Sequence, residues 1–134
     1  MIKYIAESIG TFLLVAVVVG SGIMAENLSQ GNDAIALLGN TIATGAILFV
    51  IIKMFASISG AHFNPIVSMV FLIRKEIDLK EFINYVIIQI ISGVSAVFII
   101  HFIFNQQLYQ ISTNIRGEWP LLVSEIIATC GLIL

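Results

Sequence analysis

The sequence predicts an all-α protein of the membrane, and its composition, its uncharged stretches and the placement of its basic residues all favour this class. Of its 134 residues, 59% are hydrophobic and only 10% are charged, whereas soluble domains usually carry about 25% charged residues. Four uncharged stretches of at least 18 residues are each long enough to cross a hydrocarbon core of about 30 Å. They cover residues 8–25, 34–52, 54–73 and 82–115.

The same numbers exclude several other classes of protein. Disordered chains combine low hydrophobicity with high charge, which is the opposite of this composition. Cys130 is the only cysteine, so a disulfide scaffold is excluded. The 6 basic and 8 acidic residues leave no basic footprint for nucleic acid. The lipid bilayer is therefore the partner that the composition predicts.

Three complete spans can be placed from the apolar runs. The first covers about residues 5–24, and an acidic side chain at Glu7 argues against its being a cleaved signal peptide. A polar turn at 26–33 leads to the second span, at about 34–55, and the third covers about 81–104.

The end of the sequence predicts a fourth, shorter helix. A polar connection covers residues 105–118, which we expect on the outer side of the membrane. Pro120 suits the first turn of a helix, where a missing N–H costs nothing. The apolar residues 119–134 fall short of the roughly 17–25 needed to span a bilayer, so we expect this helix to be truncated.

The stretch 56–73 is apolar but interrupted at its centre. A residue before proline is pushed out of the helical region, and Asn64 followed by Pro65 is a good N-cap and first helical residue. A helix over 65–73 would rise about 14 Å, half of a bilayer. We therefore predict a re-entrant segment in which residues 56–63 are extended or coiled. The alternative is an ordinary span with a proline kink.

The basic residues favour the re-entrant interpretation. With a cytoplasmic N-terminus and a segment 56–73 that returns to the same side, Arg116 is the only basic residue outside, as the positive-inside rule prefers. The five basic residues that then lie inside are Lys3, Lys53, Arg74, Lys75 and Lys80.

A short internal repeat links the two ends of the sequence. Glu7-x-x-x-Thr11 and Glu125-x-x-x-Thr129 each open an apolar helix. Together with the abrupt stop, this repeat predicts a second copy of the first unit that begins near residue 119. Transporter folds are often built from two such copies with inverted topology.

Candidate functional residues gather in the interrupted stretch. A half-helix that starts at mid-membrane points its positive dipole end, its free N–H groups and the Asn64 carboxamide at the membrane centre. The non-helical backbone would free the carbonyls of Gly60, Ala61 and His62. In a pore such a site binds neutral solutes and repels cations.

Acidic residues inside the apolar runs need partners. Glu7 is predicted to accept hydrogen bonds from backbone N–H groups of the re-entrant loop, unless it lies near enough to the interface to be hydrated. Glu125 would do the same for a second loop. His62 lacks further ligands at metal spacing, so we expect it to pack against its own loop and bond backbone. No metal, cofactor or enzymatic nucleophile is predicted.

The segment Ser59-Gly-Ala-His-Phe-Asn-Pro65 resembles the first Asn-Pro-Ala loop of the aquaporin (major intrinsic protein) family, in a bacterial branch. The supporting residues occur in the expected order, so the resemblance covers the whole chain: Glu7-x-x-x-Thr11, Gly45, Gln89 with Gly93, and Glu125-x-x-x-Thr129. It implies an aquaporin-like fold whose first inverted repeat, three transmembrane helices and a re-entrant half-helix, occupies residues 1–104.

The resemblance also implies roles for individual residues. Asn64 would be the first of two pore asparagines, and Gly60, Ala61 and His62 would supply pore carbonyls. Thr44 would stand in the outer selectivity constriction. A threonine at that position would leave a wider opening than an aromatic residue does. Ile66 replaces the usual alanine after Pro65, at a place that packs against the second loop.

The resemblance implies a passive channel for water or small neutral solutes, such as glycerol or metalloid hydroxides, in a bacterial inner membrane. Family members form tetramers with one pore in each subunit. The second asparagine and the last spans are missing from the sequence, so we expect either a fragment of a longer chain or a half that pairs with another. The alternative is a membrane scaffold or assembly subunit that does not transport.

Overall fold

The computed structural model of the chain describes residues 1–110 and 119–133, which form five helices. Three of the helices are long and apolar enough to cross a membrane. The predicted all-α membrane class is therefore confirmed for the described part of the chain. The helices are α1 (Ile2–Leu28), α2 (Asp33–Ser59), α3 (Pro65–Ile73), α4 (Leu79–Ile103) and α5 (Trp119–Ile133).

Short polar side chains set the starts of the inner three helices. The side chains of Asn32, Asn64 and Asp78 accept hydrogen bonds from backbone N–H groups in the first turns of α2, α3 and α4. Such caps satisfy N–H groups that have no partner inside the helix. These helices therefore begin where the sequence supplies a cap rather than where hydropathy rises.

The spanning helices differ from the predicted bounds. The helices α1 and α2 extend beyond 5–24 and 34–55 at both ends, while α4 begins two residues before 81–104 and ends one residue earlier. The physical reason is that a helix ends at its caps, whereas hydropathy marks only the part that fits the hydrocarbon core.

The predicted non-helical backbone over 56–63 is wrong at its beginning. Residues 56–59 continue α2, and the helix ends at Gly60, which adopts a left-handed conformation with φ of 86°. The constraint of Pro65 reaches only the residue before it, so it leaves residues 56–59 free to remain helical. The non-helical segment is therefore Gly60–Asn64 alone.

The side-chain contacts define how the helices run. The Ser21 hydroxyl of α1 meets Asn40 near the start of α2, and Glu7 meets Ser59 at the end of α2, so these helices are antiparallel. Lys3 forms an ion pair with Glu81, with a nitrogen–oxygen distance of 2.6 Å. Farther along the same two helices, the hydroxyls of Ser8 and Ser92 lie 2.9 Å apart. Helices α1 and α4 are therefore parallel.

Helix α3 packs against α4 and leads back toward its start. Its residue Ser68 contacts Gln89, in the middle of α4, while Ile73 connects through a short turn to Leu79. The segment between α2 and α4 therefore begins and finishes at the end of the molecule where α1 begins.

The interior of this unit is more polar than its surface. Large aliphatic side chains are exposed along all the helices, as suits contact with lipid or with other apolar helices. Among the residues whose side chains the structure describes, seven polar or charged ones are instead buried, and most of them surround the segment between α2 and α3. They are Glu7, Thr11, Ser59, His62, Ser68, Gln89 and Ser92.

Candidate functional site

The Glu7 carboxylate is the centre of the buried polar network, and its residue is 0% exposed. Its Oε1 accepts hydrogen bonds from the Ser59 hydroxyl at 2.7 Å and the His62 backbone N–H at 2.9 Å. Its Oε2 accepts from the Phe63 backbone N–H at 2.8 Å and the Gln89 amide at 2.9 Å. Four donors thus satisfy one carboxylate, which joins α1, the end of α2, the loop and α4.

The loop before α3 has an unusual backbone that serves this network. Ala61 and Phe63 have positive φ angles of 52° and 49°, beside Gly60 at 86°. Left-handed backbone costs roughly 1–3 kcal/mol at each non-glycine residue unless the surroundings hold it. Here it turns the N–H groups of His62 and Phe63 toward the same carboxylate, which offsets the cost with two charge-assisted hydrogen bonds.

The His62 ring packs inside the loop and has a structural role there. It is 4% exposed and lies 4.2 Å, centroid to centroid, from the Phe71 ring. Its Nδ1 is 3.0 Å from the Ser68 hydroxyl. The expected backbone partner is therefore wrong, because the first turn of α3 brings a side-chain hydroxyl within reach instead. Within residues 1–110 and 119–133, no group of three metal-ligating side chains forms.

One face of α4 supplies Tyr85, a partner that sequence reasoning missed, and Gln89, which the sequence marked only as a supporting residue. Tyr85 is 1% exposed, and its hydroxyl donates to the Ser59 carbonyl at 2.8 Å. Gln89 donates to Ser68 at 3.1 Å as well as to Glu7. The available signal was the spacing of Tyr85, Gln89, Ser92 and Ala96, which all lie on the buried face of the helix.

Substituting Tyr85 with phenylalanine should destabilise the fold modestly. The substitution keeps the ring contacts but leaves the buried Ser59 carbonyl without its donor, at an expected cost of about 1–3 kcal/mol. Thermal unfolding of the detergent-solubilised protein measures the effect. Tyr109→Phe is the matched control, since Tyr109 is 79% exposed. Equal unfolding temperatures for the two variants would contradict the assigned hydrogen bond.

Asn64 lies at the start of α3 and uses only part of its side chain there. Its Oδ1 accepts the Ile66 backbone N–H at 2.8 Å, and Pro65 occupies the first helical position. In the described residues its Nδ2 has no hydrogen-bond partner. Asn64 is half-buried and lines an open cleft of about 560 Å³ between α1 and α4.

The cleft runs along the two parallel helices from the loop toward their far ends. Its walls are mostly aliphatic, with residues such as Leu14, Val18 and Val97, whereas Thr11, Asn64 and Gln89 contribute polar atoms near the loop. The site therefore offers an amide donor that is unpaired within the described part of the chain, at the start of a helix and at one end of the mostly apolar cleft.

Most of the remaining predicted residues lie in or beside the loop, but Thr44 does not. Gly60, Ala61 and His62 lie in the loop, and Ile66 beside it is 47% exposed. Thr44 stands apart from them on α2, where its hydroxyl is 3.3 Å from Asn40 Oδ1. It lies 15 residues before Ser59, where α2 ends, which is about 22 Å along the helix at 1.5 Å per residue. The side chain of Glu125, and residues 111–118 of the predicted connection 105–118, lie outside the described residues.

The sequence of the chain is similar to a known protein family and to several known proteins. The family described as major intrinsic protein matches residues 1–134. The aquaglyceroporin AqpS of Rhizobium meliloti is 43% identical over 98% of this chain and 56% of its own length. A probable TIP-type aquaporin of Medicago truncatula is 34% identical over 96% of this chain and 53% of its own length.

A bacterial relative is similar over a shorter region. Glycerol uptake facilitator protein-like 6 of Lactiplantibacillus plantarum is 38% identical over 72% of this chain and 41% of its own length. The chain spans about half the length of the curated relatives it matches.

Proposed function

Because the chain belongs to the major intrinsic protein family, we propose that this integral membrane protein supplies half of the wall of a passive channel for water or small neutral solutes. The observation that carries the proposal is Asn64, which caps α3 through its oxygen beside an open cleft and whose amide nitrogen has no partner among the described residues. No bond is made or broken in this function, so it needs neither an enzymatic nucleophile nor a cofactor.

The chemistry of the site suits uncharged solutes. The N-terminus of α3 and the Asn64 amide would donate hydrogen bonds to the oxygen of a passing molecule. The carbonyls of Gly60, Ala61 and His62 would accept hydrogen bonds from the same molecule. The positive end of the helix dipole opposes cations, protons included, while a neutral solute exchanges its water partners for these groups.

A closed pore in this proposal requires a second wall. We assign that wall to a second unit of inverted topology, provided by the remainder of a longer polypeptide or by another copy of the chain. Helix α5 would be its first helix, with Glu125 in the role that Glu7 has here. Ile66 would contact the second loop, and Thr44 would stand in the outer constriction.

The proposal also includes a cellular membrane, an orientation and an oligomeric state. The bilayer would be a bacterial inner membrane with the N-terminus in the cytoplasm, since that orientation places most of the basic residues inside. Four complete channels would assemble as a tetramer with one pore in each subunit.

Stopped-flow light scattering on proteoliposomes tests the function. The protein expressed from its complete reading frame should raise the permeability to water, glycerol or an undissociated metalloid hydroxide above that of empty vesicles. A protein that folds and inserts but conducts none of these solutes would contradict the channel and favour a scaffold or assembly subunit.

Substituting Asn64 with aspartate should reduce solute flux about tenfold or admit cations. The aspartate retains an oxygen to cap α3 but replaces the free amide donor with a second acceptor. Asn32→Asp is the matched control, because the exposed Asn32 also caps a helix through its side-chain oxygen, which accepts the Ile35 backbone N–H at 3.2 Å. If both variants conduct as the unmodified protein does, Asn64 has no role in the pore.

A further inference from the structure

A second polar cluster lies between α1 and α2, away from the Glu7 network. It consists of Ser21, Asn40 and Thr44, and we call it the Ser21–Asn40–Thr44 cluster. The Ser21 hydroxyl is 2.9 Å from Asn40 Oδ1, and the Thr44 hydroxyl is 3.3 Å from the same oxygen. Two hydroxyl groups on two helices thus converge on one amide oxygen.

The hydroxyl protons of Ser21 and Thr44 determine which hydrogen bonds form in this cluster. Each hydroxyl has a single proton. The Ser21 hydroxyl also lies 2.6 Å from the Val17 carbonyl, so its proton is shared between that carbonyl and Asn40. Thr44 has no second acceptor among the described residues. Thr44 therefore directs its proton to Asn40, and its oxygen lone pairs remain for other partners.

The position of Thr44 allows such a partner to be a solute. Thr44 is half-buried, whereas its neighbours Ile42 and Gly45 are exposed. Asn40 lies one helical turn before Thr44 and is itself held across the helix interface by Ser21. The Asn40 amide oxygen that receives the Thr44 hydroxyl is thus held in place from α1.

We propose that Asn40, anchored by Ser21, is a positioning residue that makes the Thr44 hydroxyl a hydrogen-bond acceptor toward the permeating solute. The inference rests on the proposed function, in which Thr44 stands in the outer constriction. A constriction that presents an acceptor selects for neutral solutes rich in O–H donors, such as polyols and undissociated hydroxides. Asn40 and Ser21 would then determine selectivity without touching the solute.

The ratio of glycerol to water permeability tests the inference in proteoliposomes of the full chain. Asn40→Leu frees the Thr44 proton and should lower the ratio about three- to tenfold, the effect of losing one aligned hydrogen bond. Ser21→Ala should lower it in the same direction and to a smaller extent, and it serves if Asn40→Leu fails to fold. A merely structural defect would lower both permeabilities and leave their ratio unchanged.

A double substitution separates positioning from other effects. In a Thr44→Val background, Asn40→Leu should change the ratio no further, because the hydroxyl it orients is gone. Thr41→Val is the matched control, since the exposed Thr41 hydroxyl bonds only the Leu37 carbonyl, at 2.8 Å; it should leave the ratio unchanged.

The outcomes distinguish a failure of this inference from a failure of the proposed channel function on which it rests. An unmodified protein without flux overturns both. A conducting protein whose ratio is unaffected by Asn40→Leu and Ser21→Ala overturns the inference alone. So does an Asn40→Leu effect of undiminished size in the Thr44→Val background.

Discussion

Replacing Glu7 with glutamine should unfold the loop before α3, although the two side chains have nearly the same shape. Each carboxylate oxygen of Glu7 accepts two hydrogen bonds. An amide keeps one acceptor oxygen and presents N–H donors in place of the other. Whichever way the amide is turned, at least one backbone N–H, of His62 or of Phe63, then faces another donor.

The expected loss is large for an isosteric change. Leaving a buried donor unsatisfied costs about 1–3 kcal/mol, and two donors lose their acceptor, so Glu7→Gln should cost about 2–6 kcal/mol of unfolding free energy. Thermal unfolding in detergent, together with protease cleavage within residues 60–64, measures it. Glu26→Gln is the control on the same helix, because Glu26 is exposed. Unfolding temperatures that match between the two variants would refute the central role of Glu7.

Substituting Gly10 with alanine should have an effect of similar size through steric overlap. A Cβ built on Gly10 would overlap Cε1 of the Phe63 ring. That ring is 4% exposed and also makes an edge contact with Phe55, so it has little room to withdraw. Overpacking costs typically about 1–3 kcal/mol and occasionally more, and this overlap belongs at the upper end.

A comparison on the same helix and a second-site substitution test this explanation. Gly20→Ala should be tolerated, because a Cβ there would meet Ile100 and Phe104 at ordinary distances of 3.6–3.7 Å. Gly10→Ala should cost much less in a Phe63→Ala background, where the ring is gone. An equal cost in the two backgrounds would show that the ring is not what excludes a side chain at position 10.

Local signals in the sequence were sufficient to predict the start of α3. Asn64 and Pro65 act within one or two residues of their own positions, so their effect can be read without a fold. Pro65 alone predicts too early an end for α2, which continues to Ser59. Gly60 was the stop signal, and a left-handed glycine after a helix is a common way for helices to end.

The partners of the network depend instead on how helices pack. Tyr85, Ser68 and the pair of Ser21 with Asn40 are unremarkable polar residues in apolar runs. Their contacts join residues on different helices, for example Tyr85 with the Ser59 carbonyl. Such pairs are set by the register between neighbouring helices, which one sequence does not reveal. The intramembrane acid at Glu7 was easier to single out, because a charge in such a place needs partners.

The polar network also dictates an order of assembly during synthesis. Glu7 precedes Ser59 by 52 residues and Gln89 by 82, so its helix emerges from the ribosome long before its donors exist. Until those segments arrive, the carboxylate must rely on water or on the insertion machinery. We therefore expect the loop to reach its final form only after α4, which carries Gln89, has packed against α1. Glu7 is thus translated among the first residues of the unit, but its hydrogen bonds would be the last to form.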